Sequence, residues 1–370
     1  MQKWISYLDH YFFCKTRNHN LGLIRIVLVL LCAYQGFRDY GWMHDLTYMN
    51  AELDSMHEPS FLIKMLRFPF PLDSNYVRSF AYFYYATAFC ALIGLFTRPA
   101  LFILSFATIY VVDIDVSRGF FNHEASLASQ VMFILALAPG STSFSVDRLL
   151  QWFYMRNKPK ASNLLQTLIG PSVSAWGVKL LLILLACTYF TAGVSKIRYG
   201  GLAWLDGQTL THYLDGSANP YVAGKKPPIF IGPNDVPQKE KWRDGFGIYT
   251  YSYGNRQTKK FWKSVGNGIA ANRFLITSFA VAATVFELCA FLLLLNGWPR
   301  VLYLLGAILM HKSIGVLMNL PFRDYQALCF LLIDWWWVYK NIPIGNNIKQ
   351  KLNLYFSNFK FLNREYKVSE

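Results

Sequence analysis

The chain has 370 residues, of which 54% are hydrophobic, 17% aromatic and only 15% charged. Soluble domains carry about 25% charged residues, so this composition excludes a disordered chain and an ordinary cytosolic enzyme. The net charge of +15 belongs, in so apolar a chain, to cytoplasmic loops and anionic lipid, and no nucleic-acid partner is expected.

A spanning helix needs about 20 mostly apolar residues. Eight stretches qualify in chain order: roughly 20–38, 77–97, 99–117, 123–140, 172–196, 273–296, 299–318 and 323–340. The first, LGLIRIVLVLLCAYQGF, follows Lys15 and Arg17 as a secretory leader would. No small-residue cleavage site follows it, so it reads as a retained helix. The last closes on DWWWVYK, an aromatic belt with a lysine anchor. The predicted fold class is all-α: a polytopic bundle of about eight spans over 20–340, with two longer extracytoplasmic loops, 39–76 and 197–272. Residues 1–19 form a cytoplasmic segment and 341–370 a cytoplasmic, interfacial tail.

Sidedness follows from Lys15, Arg17, Arg98, Arg148, Arg156, Arg300 and Lys340, which fall in segments on one side. Basic loops stay inside, which places both termini in the cytoplasm. The six cysteines show no C-x-x-C spacing, and no metal site or disulfide framework is expected.

Ionisable groups within spans are costly and usually functional. Asp113, Asp115 and Arg118 close the third span, and Asn122, His123 and Glu124 open the fourth. Lys196 ends the fifth, Glu287 lies near mid-depth in the sixth, and His311 and Lys312 fall in the outer half of the seventh. Nearly all lie at one depth, which points to a polar cavity open to the outside. Plainer explanations stand beside that one. Asp113, Asp115 and Arg118 fit an interfacial position, Lys196 and Lys312 fit snorkelling, and Arg25 fits contact with lipid headgroups. His311 fits the role of structural partner to Glu287.

At these residues the chain resembles the horizontally transferred transmembrane (HTTM) family, which comprises vitamin K-dependent γ-carboxylase and its bacterial relatives. CTYFTAGVSKIRYGGLAWLDGQTL is similar to the family's aromatic–A-G–x–x–K–…–W-L-x-G signature. RGFFNHEASLASQVMFILALAPGSTSFSVDRL resembles its asparagine–histidine segment, proline-ended helix and S-x-D. TVFELCAFLLLLNGWPRVLYLLGAILMHKSIGVLMNLPF resembles its E-L…P-R…H…G…M…P-F run. The likeness covers about 20–340.

The resemblance implies Lys196 as the base that deprotonates a reduced quinone, with His123 as the motif histidine and Asn122 as its asparagine. Glu287 and His311 match the family's later glutamate and histidine, and Trp204 stands in the W-L-x-G element. Vitamin K hydroquinone or another lipid quinone is the implied cofactor, and the implied activity is of carboxylase or epoxidase type, a lyase or oxidoreductase. A base must be uncharged, and burial with a nearby cation such as Arg198 would favour that. Tyr189, Phe190, Phe120, Phe121 and Trp204 are candidates to face the quinone ring.

Two departures qualify this. FFNHE replaces the carboxylases' N-N-H-S, and no large docking domain for a propeptide-tagged substrate is expected after the last span. Two other functions fit the same features: a maturation or immunity factor for a secreted peptide, as in the sporulation-delaying systems, and a small-molecule transporter. The expected setting is the lipid bilayer of a bacterial cytoplasmic (inner) membrane, with a secreted peptide or protein as an alternative partner.

Overall fold

A computed structural model describes residues 2–16, 19–39, 43, 61–67, 74–117, 123–157, 163–215 and 259–342. The chain divides into two units, 1–333 and 334–370.

In the first unit, α1 (Gln2–Phe13) precedes the long α2 (His19–Asp39). Short α3 (Phe61–Leu66) is followed by α4 (Ser74–Ile93), α5 (Thr97–Ser117) and α6 (His123–Leu137). A 3-10 turn over Pro139–Thr142 leads to α7 (Val146–Met155) and α8 (Leu164–Ile169). Then come α9 (Trp176–Ser195), α10 (Gly201–Leu205), α11 (Gln208–Asp215), α12 (Lys260–Ala271) and α13 (Arg273–Leu288). The last two helices of this unit are α14 (Trp298–Met318) and α15 (Arg323–Leu332). A two-residue ribbon, β1 (Lys15–Thr16) against antiparallel β2 (Val173–Ser174), ties the start of α2 to the start of α9. In the second unit, α16 (Trp335–Asn341) is capped by Asp334, whose side chain accepts from the Trp337 N–H.

Helices stand at each predicted span. Five segments are long and apolar enough to cross a membrane: Asn20–Phe37, Thr97–Ile114, Trp176–Arg198, Arg273–Leu294 and Trp298–Met318. The chain is thus an all-α integral membrane protein. The stretch read as an eighth span, 323–340, is two short helices rather than one, because the helix ends at Ile333 in an extended conformation.

The bundle turns its large side chains outward. Phe89, Phe102, Phe106, Phe279, Leu302 and Leu309 are exposed, as suits a surface bathed in hydrocarbon. Leu21, Leu28, Leu101, Leu127, Leu181 and Leu328 are fully buried at the centre. There α2 packs on α4, α6 and α15, and α9 packs on α6 and α13. A lipid-facing groove of about 580 Å³ runs between α4 and α5, walled by Phe80, Phe83, Phe102 and Phe106 and ending at Tyr76 and Tyr110.

The end of the bundle around Arg25 is held by buried charge. Arg25 is fully buried on α2 and does not reach lipid headgroups. Its guanidinium donates to the Ser141 carbonyl at 3.0 Å and the Phe144 carbonyl at 2.8 Å. The reason is local: the 3-10 turn after Pro139 leaves carbonyls without helical partners, and one buried cation serves two of them. The S-x-D element works in the same place. Ser145 caps α7 by accepting from the Arg148 N–H. Asp147 caps α5, accepting from the Phe96 N–H at 2.9 Å, the Thr97 N–H at 2.8 Å and the Thr97 hydroxyl at 2.7 Å. The P-R element is likewise structural, because Arg300 donates to the Leu293 carbonyl at 3.0 Å and closes the turn before α14.

Replacing Arg25 by leucine should therefore destabilise the protein by about 3–5 kcal/mol, since it strands two buried carbonyls and removes a buried charge near Asp147. Leu30→Ala, on the lipid-facing side of the same helix, should stay within about 1 kcal/mol. Thermal unfolding in one detergent compares the two, and a silent Arg25→Leu would show that the guanidinium holds nothing.

Candidate functional site

Helix α9 is apolar along its whole length and reaches Lys196 without interruption. There it loosens into a single π turn, Lys196–Gly200. π turns are energetically poor and collect at functional sites. This one rotates the chain so that Lys196 turns inward while Ile197 and Arg198 face out and are exposed. The Lys196 ammonium meets both carboxylate oxygens of Glu287. Glu287 lies fourteen residues beyond Arg273 at the start of α13, about 21 Å along the axis at about 1.5 Å per residue. Lys196 is thus drawn to the depth of a mid-span carboxylate and does not snorkel. Its charged neighbour in the structure is that anion.

The approach of the two helices depends on Gly193. A methyl group there would stand 3.1 Å from the Glu287 Cβ and 3.2 Å from the Leu288 side chain. The A-G-V-S-K order is therefore a steric requirement: the small residue one turn before the lysine lets α13 bring its carboxylate within reach. The glycine of the W-L-x-G element acts similarly at the outer end. Gly207 has φ +82° and lies against the Ile276 and Thr277 backbone. The Thr277 hydroxyl donates to the Asp206 carbonyl at 2.9 Å, so α10 is pinned onto α13. That positions Trp204, a buried side chain whose ring lies 5.4 Å from the Lys196 nitrogen in a cation–π contact.

His311 approaches from α14. It is buried, and its Nε2 shares a hydrogen bond of 2.8 Å with the hydroxyl of Tyr189, which lies on α9 about two turns before Lys196. The Tyr189 hydroxyl also lies 3.7 Å from the Cys329 sulfur on α15. His311 is thus Tyr189's partner rather than Glu287's, although it remains within electrostatic range of Lys196. Aromatic rings enclose the group. Tyr303 stacks on Phe286 at 4.3 Å, and Phe322 and Tyr325 pack on the His311 ring at 5.0 and 5.1 Å. The M…P-F element supplies Phe322 to this wall.

Four of the six expected site residues, Lys196, Trp204, Glu287 and His311, therefore meet in one place. Asn122 lies outside the described residues. His123 is the first residue of α6, and its side chain is likewise outside them. Other expectations do not converge on the site. Phe190 and Lys312 are exposed and point away from it. Asp113 is buried but accepts from the Ile63 N–H at 3.0 Å, holding α3 in place. Phe120, Phe121 and Arg118 fall outside the described residues, as does the side chain of Asp115.

Tyr303, Phe286 and Cys329 each sit inside an apolar run where they read as packing, and Tyr325 stands between Asp324 and Gln326 at the start of α15 with no motif to mark it. A signal was available for Tyr303: it shares a face of α14 with His311, eight residues on. No family model, curated protein or solved structure matches the chain.

An amine and a carboxylate in contact, with 18% and 8% of their side chains exposed, form a nearly buried ion pair. Removing one partner leaves a stranded charge and should destabilise by about 3–5 kcal/mol, while replacing both by apolar residues should cost far less. Thermal unfolding of Lys196→Met, Glu287→Leu and the double variant should show this non-additivity. Additive losses would show that the two side chains do not depend on each other. Gly193→Ala should lower stability by about 1–3 kcal/mol through overpacking against Glu287 and Leu288.

Proposed function

We propose that this protein is a membrane-embedded acid–base enzyme of the vitamin K-dependent γ-carboxylase-like HTTM kind, acting on a lipid-soluble substrate that carries an acidic hydroxyl, such as a quinol. The observation that carries the reading is the Lys196–Glu287 pair, set deep in the bundle and walled by aromatic rings. An intramembrane ion pair is expensive to maintain and is ordinarily found on a proton, ion or substrate path.

The pair works as a unit. Amine and carboxylate share one labile proton in the resting site, and the pair takes up one more from the substrate oxygen. The O–H bond breaks, its electrons stay on oxygen, and the site ends with both groups protonated. The aromatic wall serves two ends: it excludes water, which strengthens each electrostatic contact, and it offers flat faces to a ring-shaped substrate. Substrate reaches such a site from the bilayer, the natural reservoir of a lipid quinone.

The arrangement of eight spans, both termini on the cytoplasmic side of a bacterial inner membrane, belongs to the same reading. It is supported by the clustering of Arg98, Arg148, Arg156 and Arg300 at one end of the helices.

Lipids extracted from the purified protein and identified by mass spectrometry test the proposal. A quinone or related hydroxyaromatic lipid, near one per chain and lost in a folded Lys196→Met variant, is the expected result. An occupant that is only bulk phospholipid in both would overturn it. Where turnover is measured, Lys196→Arg should lower it at least about tenfold, because a guanidinium keeps its proton and leaves only the carboxylate, held by a fixed cation, to accept one.

A further inference from the structure

Three polar atoms in the wall of this site have no hydrogen-bond partner among the described residues: Trp204 Nε1, Tyr303 OH and His311 Nδ1. Their side chains are only 7%, 3% and 6% exposed. A buried donor left without a partner costs about 1–3 kcal/mol, so such atoms gathered around one ion pair call for a ligand. They fall on two sides. Trp204 lies on the Lys196 side, its indole ring 5.4 Å from the amine nitrogen, and His311 packs with Tyr189, Phe322 and Tyr325. Tyr303 stacks on Phe286, the neighbour of Glu287.

The indole N–H only donates. His311 Nε2 shares a hydrogen bond of 2.8 Å with the Tyr189 hydroxyl. A phenol is the stronger proton donor and a neutral imidazole nitrogen the stronger acceptor, so we assign Tyr189 as the donor to Nε2, which places the ring hydrogen on Nδ1. On that assignment two buried N–H donors in the wall of the site have no acceptor among the described residues. A site with surplus donors beside a proton acceptor is complementary to an oxygen atom losing its proton.

Building on the acid–base reading above, we propose that Trp204 Nε1 and His311 Nδ1 form an oxyanion hole: they bind the substrate oxygen and hold the phenolate or enolate that forms when the Lys196–Glu287 pair removes its proton. Tyr189 is a positioning residue, since it sets the tautomer that turns His311 into a donor. The step moves one proton from oxygen to the pair and involves no change of oxidation state. Donors fixed by the fold need no reorganisation as charge develops, which makes them most effective in a water-poor site.

The test uses the full chain in detergent with a series of substituted 2-naphthols of graded acidity, together with their methyl ethers. Binding is read by fluorescence and ionisation by the naphtholate absorption band. In the wild-type protein the bound naphthol should ionise at least about ten times more readily than in detergent alone. Trp204→Phe and His311→Gln should each weaken binding of the ionised form about tenfold, the loss of one hydrogen bond to charge, and leave the ethers unchanged. Tyr189→Phe should weaken it less.

Several outcomes separate the claims. Ionisation that persists undiminished in Trp204→Phe and in His311→Gln would overturn the oxyanion hole while leaving the basic pair intact, and would mean that water alone serves the two donors. A naphthol that binds to the wild type but stays neutral would overturn the acid–base reading as well, as would no binding at all. Lys196→Met should bind the ethers and ionise nothing.

Discussion

The ion pair between Lys196 and Glu287 is the constraint from which the arrangement around it follows. Two opposite charges at that depth have left water, and only close contact and good geometry offset the loss of solvation. Contact requires α9 and α13 to approach to the limit set by Gly193. It also requires α9 to turn its last residue inward, which an unbroken α-helix ending at the membrane surface would not do. The π turn at Lys196–Gly200 provides that rotation, and the 3-10 segment Cys289–Leu294 just past Glu287 lets α13 change direction toward α14. Both irregularities sit beside the pair, where helical regularity gives way to the placement of a charge.

Around the pair the protein supplies neutral polar groups rather than further charge. Tyr189, Tyr303, Trp204 and His311 carry hydroxyls or ring nitrogens on apolar bodies. Such side chains are cheaper to bury than a second ion pair and pack edge to face. A charged wall would neutralise the pair. An aliphatic wall would isolate it. Aromatic rings bearing hydrogen-bonding atoms leave the pair partly unanswered, which is the condition for reacting with something that arrives from the bilayer.

The sequence disclosed the fold well, because lipid imposes a blunt rule: long apolar runs become helices, and the eight runs each contain one. It disclosed the site where a charge interrupts such a run, so that Lys196, Glu287 and His311 stand out. It was nearly silent about Tyr303 and Cys329, and it marked Tyr189 as a ring without its hydrogen-bond partner. A tyrosine or cysteine in an apolar stretch is common and uncommitted, and only the packing of α9, α14 and α15 gives it a partner. Partner identity was the weakest inference of all. Sign and depth say that Glu287 needs a cation, but not that Lys196 rather than His311 supplies it. That choice turns on the small volume of Gly193 and on a π turn, neither of which leaves a periodic trace.

The Arg25 end of the bundle shows the same physics put to another use. Arg25 is fully buried, its two terminal guanidinium nitrogens donate to the Ser141 and Phe144 carbonyls, and Asp147 caps the start of α5. Those bonds go to fixed backbone atoms and hold the architecture, although Arg25 Nε has no partner among the described residues. The Lys196–Glu287 pair is different in kind. Its amine and carboxylate bond each other, and Trp204 Nε1 and His311 Nδ1 have no hydrogen-bond partner among the described residues. Burial of charge alone therefore does not mark a functional site in this bundle. What distinguishes the Lys196 cluster is the company of its unpartnered atoms: Trp204 Nε1, Tyr303 OH and His311 Nδ1 have no hydrogen-bond partner among the described residues and sit in the aromatic wall around an ion pair.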